Sequence, residues 1–235
     1  MADKRLLLLS NSTNAGETYL GYPREEIRAF LGAEVRRVLF VPYAGVRFSY
    51  ERYAEIVDEA FGDMGFGVEP IHSVSDPKSA VAQAEAIVVG GGNSFHLLYH
   101  LYAEYILDGI RARVLDGIPY IGWSAGANIA CPTMRTTNDM PIIEPLSLAS
   151  LNLVPFQVNP HYIDTHPLGH AGETRDERLA EFIEVNREVT VIGLREGTML
   201  HVEGDTIRLT GDKPARIFRY ACEPVDTMDV TDIIG

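Results

Sequence analysis

Cysteine is scarce in this sequence: Cys131 and Cys222 are its two copies among 235 residues. Two widely separated cysteines cannot build the disulfide framework that holds many small secreted proteins together. That class of protein is therefore excluded, and the sequence is compatible with a reducing compartment.

Long hydrophobic runs are missing as well. Residues 1–5 carry two basic side chains, and the apolar run that follows, residues 6–9, is much shorter than a signal-peptide core or a membrane span. We therefore expect a cytoplasmic protein that has no membrane partner.

Positive charge is in short supply. The chain has 20 Lys and Arg against 33 Asp and Glu, which gives a formal net charge of -13. A field of this sign repels nucleic-acid phosphates and anionic small molecules, so we expect no nucleic-acid partner. A basic side chain inside a functional site would be needed to hold any anionic substrate.

The composition that is present is that of a globular protein. Hydrophobic residues make up 46% of the chain and charged residues 23%, with no repeat, low-complexity tract or long linker. A chain of this length can bury the core of one domain, so residues 1–235 are expected to form a single α/β domain. Either a monomer or a homodimer is compatible with the sequence.

Short apolar runs alternate with segments of helical periodicity. This alternation predicts a flavodoxin-like, mostly parallel sheet flanked by helices. The predicted strands are residues 6–9, 38–41, 67–71, 86–89, 119–123 and 189–194, and the predicted helices are 50–61 and 94–114. Residues 199–202, 206–209 and 215–220, separated by Gly-containing turns, predict a C-terminal antiparallel hairpin or edge. Residues 132–175 lack periodicity, and such a long irregular stretch indicates a functional site.

A serine between two glycines follows the predicted strand 119–123. The pattern Gly122-Trp-Ser124-Ala-Gly126 matches the Gly-x-Ser-x-Gly nucleophile elbow. In this turn the strand and the next helix come close together, which requires small neighbouring residues. The alternative is an ordinary strand-to-helix turn, but the position at the carboxyl end of a parallel strand favours a nucleophile.

A serine nucleophile needs a base, and histidine is the usual one. His161 follows a proline in the irregular stretch, as expected of a side chain held on a rigid loop, and is our candidate. The four histidines at positions 72, 96, 100 and 201 are interpreted as structural. His166 and His170 raise the alternative of a metal site with His161 or Asp164, but Pro167 and Gly169 would break a helix that carries both ligands, so no metal is expected.

The oxyanion of an acyl-transfer intermediate is usually stabilised by backbone N–H groups, one of them from the residue after the nucleophile. Ala125 holds that position. The second glycine-rich turn, which ends in Gly92 and Asn93, also follows a strand and opens a helix, so Gly92 is the second candidate donor and Asn93 a candidate substrate contact. A phosphate-binding loop is the alternative, but the Gly-Lys-Ser/Thr and GxGxxG signatures are both missing.

Eight segments, in order along nearly the whole chain, closely resemble the peptidase E family. They are Ser-Asn-Ser-Thr at 10–13, Pro-Tyr-Ala-Gly-Val at 42–46, Val-Gly-Gly-Gly-Asn at 89–93, Gly-Trp-Ser-Ala-Gly-Ala-Asn at 122–128, Cys-Pro at 131–132, Arg-Thr-Thr-Asn-Asp-Met-Pro at 135–141, Asn-Pro-His at 159–161 and Gly-Glu-Thr-Arg at 172–175. The resemblance implies a fold similar to class I glutamine amidotransferases, with Ser124 as nucleophile and His161 as base. It also implies cofactor-free hydrolysis of dipeptides that begin with aspartate.

The third member of the triad is open between Asp139 and Glu196. Glu196 lies just past a predicted strand, where catalytic groups collect, and we favour it as the residue that orients His161, with Asp139 shaping the pocket. The family resemblance leads us to expect Arg175 to bind the substrate's aspartyl carboxylate. Arg195 stands where a proline is familiar in the family, a difference we expect to lie at the surface.

Two rival functions are kept. One is a cyanophycinase-like peptidase, which resembles this fold and serine turn but acts on β-aspartyl-arginine polymers. The other is a non-catalytic small-molecule sensor on an amidotransferase-like scaffold. The segments at 135–141 and 172–175 favour the dipeptidase.

Overall fold

A computed structural model describes residues 3–164 and 172–231, and these residues contain two β-sheets. The strands are β1 Arg5–Leu9, β2 Arg37–Val41, β3 Gly67–Pro70, β4 Ile87–Val89, β5 Tyr120–Trp123, β6 Gln157–Tyr162, β7 Val191–Arg195, β8 Met199–Glu203, β9 Thr206–Thr210, β10 Ala215–Phe218 and β11 Val225–Thr227. The helices are α1 Arg24–Leu31, α2 Tyr50–Gly62, α3 Pro77–Gln83, α4 Ser94–Ala103, α5 Leu107–Leu115, α6 Ala125–Ile129 and α7 Arg175–Val185, with a 3-10 turn at Ile71–Ser73.

The first sheet has seven strands in the order β3-β2-β4-β5-β1-β8-β9. Its first four strands and β1 are parallel, whereas β8 and β9 add an antiparallel edge. The order β3-β2-β4-β5 reverses between β2 and β4, as in flavodoxin-like sheets, and that reversal opens a crevice at the carboxyl ends of the strands. The predicted fold class is therefore confirmed, including the C-terminal hairpin β8–β9.

Burial on both faces explains the unbroken apolar strands. In β1, Leu6 and Leu8 pack into the core on the α4–α6 side, whereas Leu7 and Leu9 pack into the core on the α1–α2 side. All four leucines are at most 2% exposed. Side chains that alternate between two covered faces must all be apolar, so this strand has no polar alternation.

The second sheet is the main departure from the sequence prediction. It has four strands in the order β11-β10-β7-β6, with β6 parallel to β7. The predicted strand 189–194 forms as β7 but joins this sheet rather than the first. Its partner β6 lies inside residues 132–175, which were predicted to be irregular. This strand was not predicted because it contains Pro160 and the polar residues Gln157 and Asn159, which are not typical of a buried strand.

The predicted helix 94–114 is two helices. The chain breaks between α4 and α5 at Tyr105, whose φ of 54° lies in the left-handed region. The apolar stripe continues across the break, with Leu101 and Ile110 both fully buried, so periodicity alone could not reveal it. None of the helices found in the described residues is both long enough and apolar enough to cross a membrane.

Candidate active site

Ser124 occupies a strained turn between β5 and α6. Its φ of 52° and ψ of -112° are unusual for a residue with a side chain. The turn is as tight as the elbow pattern predicts, because a Cβ atom added at Gly122 would lie 2.4 Å from the carbonyl oxygen of Gly126. The Ser124 N–H donates to the carbonyl of Leu9 at 3.1 Å, which ties the turn to the end of β1.

His161 faces Ser124 from the second sheet. Its Nε2 lies 2.9 Å from Ser124 Oγ, within hydrogen-bond distance. The residue sits at an irregularity in the β6–β7 pairing and has a φ of 52°, so the backbone turns there and aims the imidazole across to the first sheet.

Glu196 stands behind His161, directly after β7. Its Oε1 lies 2.7 Å from His161 Nδ1, so serine, histidine and glutamate form one continuous hydrogen-bonded chain. The preceding residue, Arg195, is 8% exposed rather than at the surface as expected. Its guanidinium binds Asp164 and Asp226 at 2.5 and 3.0 Å, and these ion pairs fix the end of β7.

Asp139 lines the same pocket but makes other contacts. Its carboxylate accepts hydrogen bonds from the Ser94 backbone N–H at 2.7 Å and from the Thr137 hydroxyl at 3.0 Å. Ser94 begins α4, where the unpaired N–H groups and the helix dipole favour a negative charge. The geometry therefore brings Glu196, and not Asp139, to the imidazole.

The glycine turn after β4 lies against the Ser124 turn. At Gly92, φ is 137° and an added Cβ would lie 2.1 Å from the Ala44 carbonyl oxygen, so no side chain fits. The Tyr53 hydroxyl donates to the Gly91 carbonyl at 3.0 Å, and that carbonyl belongs to the same peptide unit as the Gly92 N–H. Tyr53 therefore sets the direction of the Gly92 donor.

Sequence reasoning missed Tyr53, which falls within the predicted helix 50–61 as one of its regularly spaced apolar residues. Its ring is indeed buried in the core, and burial is the main cause that raises the pKa of its phenol. The hydroxyl also accepts a hydrogen bond from Trp123 Nε1 at 3.1 Å. Apolar residues at helical spacing predict a buried helix face, but they do not indicate that the hydroxyl of one tyrosine reaches the glycine turn after β4.

Asn93 makes two hydrogen bonds within the protein through its side-chain amide. Its Oδ1 accepts the His96 N–H at 3.0 Å and caps α4, while its Nδ2 donates to the Met140 carbonyl at 2.9 Å. Both ends of the amide thus hold the glycine turn and the segment after Asp139 in place. Asn93 is not among the residues that form the cavity wall, and its contact with substrate stays a prediction.

Arg175, the first residue of α7, reaches the pocket. Its guanidinium donates to Asn138 Oδ1, and Asn138 Nδ2 in turn donates to the Pro160 carbonyl at 2.7 Å. Burial, and to a smaller extent Arg178, lowers the pKa of Arg175 from its usual value, although an arginine remains charged at any working pH.

Glu173 and Asp176, two carboxylates near Arg175 at the helix start, pair with other arginines. Glu173 pairs with Arg178 at 3.6 Å, and Asp176 pairs with Arg216 at 2.8 Å. Asp176 also accepts a hydrogen bond from the Tyr162 hydroxyl. These pairs leave the guanidinium directed to Asn138 and the pocket.

A cavity of about 680 Å³ opens in front of Ser124. Its wall is formed by Ser12, Tyr19, Phe48, Tyr53, Ile56, Gly91, Gly92, Ser94, Trp123, Ser124, Ala125, Thr137, Asn138, Asp139, Pro160, His161 and Arg175. Two candidate backbone donors, the candidate nucleophile, the candidate base and one arginine therefore converge on a single small-molecule space. No group of three metal-ligating side chains occurs in residues 3–164 and 172–231, and His166 and His170 lie outside the described residues.

Known peptidases are similar to this chain over most of its length. The model of peptidase family S51 matches residues 6–210. Peptidase E of Nostoc sp. strain PCC 7120 is 51% identical over 231 residues, covering 96% of each chain, and peptidase E of Streptomyces coelicolor is 49% identical over 220 residues, covering 93% of this chain and 89% of the relative. The crystal structure of a peptidase from an acI-B1 Actinobacterium shares the fold, with a TM-score of 0.70 at 16% identity over 97% of this chain and 96% of the other. The chain belongs to peptidase family S51.

Proposed function

We propose that this protein is a serine-type dipeptidase that hydrolyses dipeptides with an N-terminal aspartate through an acyl-enzyme on Ser124. The observation that carries the proposal is the hydrogen-bonded chain from Ser124 through His161 to Glu196, with distances of 2.9 and 2.7 Å, at the wall of a cavity that also contains Arg175. The relatives named peptidase E support the same reading.

The first half of the reaction forms the acyl-enzyme. His161 Nε2 takes the proton from Ser124 Oγ as that oxygen attacks the peptide carbonyl carbon, and the carbonyl oxygen becomes an oxyanion. The N–H groups of Ala125 and Gly92 stabilise this oxyanion. Glu196 accepts a hydrogen bond from His161 Nδ1–H, which holds the tautomer and stabilises the imidazolium.

The second half releases both products. His161 gives its proton to the departing amine, so the C–N bond breaks and the second amino acid leaves. Water then attacks the aspartyl ester while His161 takes one of its protons, and the return of that proton to Ser124 Oγ frees aspartate. Side chains and backbone N–H groups account for every proton and charge, so the scheme requires no metal or cofactor.

Substrate selection is assigned to Arg175. The aspartyl side chain is an anion that must enter a protein with a formal net charge of -13, so a local cation has to hold it. A guanidinium offers two parallel N–H donors that match the geometry of a carboxylate. The half-buried position of Arg175 strengthens this attraction because less water screens it.

The experiment is a dipeptide panel assayed by release of free amino acids. Wild type should hydrolyse Asp-Leu, and Asn-Leu and Ala-Leu should react slower by orders of magnitude. Ser124→Ala should hydrolyse none of them while its melting temperature stays near that of wild type.

The same panel separates the rival functions. A cyanophycinase-like peptidase would release arginine from β-Asp-Arg but not from α-Asp-Arg, whereas the proposal requires the opposite. A folded wild-type protein that cleaves no peptide in the panel would instead favour the small-molecule sensor.

A further inference from the structure

The reacting residues come from two different sheets. Ser124 follows β5 of the seven-stranded sheet, whereas His161 lies on β6 and Glu196 follows β7 of the four-stranded sheet. The 2.9 Å contact between His161 and Ser124 therefore depends on how the two sheets are fixed relative to each other. The residues that bridge them follow β1: Ser10 and Asn11, which are 0% and 1% exposed.

Ser10 completes the backbone pairing at the irregularity that carries His161. The β6–β7 ladder loses its register between Asn159 and Tyr162, and Pro160 has no N–H to give. Ser10 Oγ accepts the His161 N–H at 2.9 Å and donates its own proton to the Leu194 carbonyl at 2.7 Å. One hydroxyl thus joins β6 and β7 at the point where their own hydrogen bonds are interrupted.

Asn11 holds the turn that carries Glu196. Its Oδ1 accepts the Gly197 N–H at 2.9 Å, directly after the glutamate. Its Nδ2 donates to the Thr13 carbonyl and to Asn14 Oδ1, both at 2.9 Å, so the amide orientation is fixed on both sides. The Tyr22 hydroxyl donates to the Asn11 carbonyl at 2.8 Å and secures its backbone as well.

The residue before them holds the nucleophile, since the Leu9 carbonyl accepts the Ser124 N–H. Three consecutive residues therefore contact the three segments that supply nucleophile, base and orienting acid. This placement is specific: a shift of Ser10 would move the backbone of His161 relative to Ser124, and a misplacement of about 1 Å can cost an enzyme about 100-fold in rate.

We propose that Ser10 and Asn11 are positioning residues. They hold His161 and Glu196, which belong to the four-stranded sheet, in a fixed position relative to Ser124, which belongs to the seven-stranded sheet. Neither residue is part of the cavity wall, so their loss should lower kcat and leave KM nearly unchanged. The proposal rests on the proposed function, because it takes Ser124, His161 and Glu196 as the reacting chain.

The test compares Ser10→Ala, Ser10→Thr and Ser150→Ala by kcat and KM for Asp-Leu and by the rate at which an irreversible phosphonate labels Ser124. Ser10→Ala should lower both kcat and the labelling rate by about 10- to 100-fold. Ser10→Thr keeps the hydroxyl and should recover most of both. Ser150→Ala removes a hydroxyl from a serine that is 6% exposed and lies outside the cavity wall, so it should behave as wild type.

Two results would overturn the proposal: a folded Ser10→Ala that labels and turns over like Ser150→Ala, or a Ser10→Thr as impaired as Ser10→Ala. If Ser10→Ala does not fold, Asn11→Ala carries the test, with the same loss of kcat at constant KM expected and wild-type kcat contradicting it. The labelling rate needs no peptide substrate, so it still tests the positioning role should wild type fail to cleave Asp-Leu, which would count against the proposed function alone.

Discussion

At the residue scale, the acid behind His161 is the choice that the sequence left open. Glu196 contacts the imidazole, whereas Asp139 is bound by the Ser94 N–H and the Thr137 hydroxyl. The sequence could not decide between them because Glu196 is brought to His161 by the pairing of β6 with β7, and this pairing was not predicted. In the structure Glu196 Oε1 lies 2.7 Å from His161 Nδ1, so loss of the Glu196 carboxylate should slow the reaction.

Glu196→Gln should lower kcat for Asp-Leu by at least about 1,000-fold, since loss of the orienting carboxylate costs about 10⁴-fold in Ser-His-Asp proteases. Asp139→Asn keeps an oxygen that can accept from Ser94 and should cost much less. Steady-state kinetics of the two variants, with melting temperatures as the control for folding, make the comparison. Collapse of kcat in Asp139→Asn alone would assign the orienting role to Asp139.

Arg175 gives the residue-scale prediction for specificity. Arg175→Met keeps most of the apolar stem of the side chain and removes its charge, so kcat/KM for Asp-Leu should fall by orders of magnitude, as expected when about 2–5 kcal/mol of a desolvated charge pair is lost. The ratio of kcat/KM for Asp-Leu to kcat/KM for Asn-Leu should also fall. The matched control is Arg187→Met, just past the end of α7, whose side chain is 54% exposed, pairs with Glu184 away from the cavity wall and should change little when lost.

An undiminished preference of Arg175→Met for Asp-Leu over Asn-Leu would place carboxylate recognition on another residue. A drop in kcat/KM that is equal for both dipeptides would show that Arg175 shapes the pocket without reading charge.

At the element scale, α2 supports the glycine turn after β4 through one hydroxyl. Tyr53→Phe removes the hydrogen bonds to the Gly91 carbonyl and from Trp123 Nε1 but keeps the ring that packs against Phe40 and Phe48. The Gly92 N–H then loses its fixed direction, so kcat should fall by about tenfold, less than the 100-fold or more typical for complete loss of an oxyanion donor.

The control for Tyr53→Phe lies on the same helix. Tyr50→Phe removes a hydroxyl that contacts His100 at 3.3 Å, away from the cavity wall, and should keep wild-type kcat. Equal kcat values for Tyr53→Phe, Tyr50→Phe and wild type would show that the glycine turn holds its geometry without the phenol.

The elements that could be predicted are those whose signal is local. β1 is a run of leucines, β5 leads into a glycine-serine-glycine turn, and the β8–β9 hairpin has Gly204 at its turn with a φ of 57°. β6 could not be predicted, because it contains Pro160 and is stabilised by contacts with β7 and with Ser10 that are distant in the chain. The candidate base His161 could nevertheless be named from the sequence, because its pattern did not depend on knowing the strand, and its Nε2 lies 2.9 Å from Ser124 Oγ.

At the scale of the whole molecule, the division into two sheets is what sequence patterns could not show. β7 has the same apolar character as the parallel strands, and five buried residues give no indication of which sheet they join. Only long-range pairing, with β6 on one side and β10 on the other, decides it. The site lies where the two sheets meet, so its geometry is a property of the whole fold.

The two cysteines give a whole-molecule prediction. Cys131 is 0% exposed and burial raises the pKa of its thiol to about 12, whereas Cys222 is exposed. Iodoacetamide at pH 7.5 should therefore alkylate Cys222 alone in the folded protein, because a thiol reacts as the thiolate. Activity toward Asp-Leu should be unchanged, and mass spectrometry of peptides should find Cys131 alkylated only after denaturation. Inactivation that follows alkylation of Cys131 in the folded state would implicate a thiol in the chemistry.

The central claim, that Ser124 is a nucleophile activated by His161, is tested most directly by mapping the covalent adduct of a serine-directed phosphonate with peptide mass spectrometry. Wild type should carry a single adduct on Ser124 and lose its Asp-Leu hydrolysis in proportion to labelling. Folded His161→Ala should label slower by orders of magnitude, since the serine has lost its base. An adduct on another residue, or full labelling of wild type that leaves Asp-Leu hydrolysis intact, would contradict the claim.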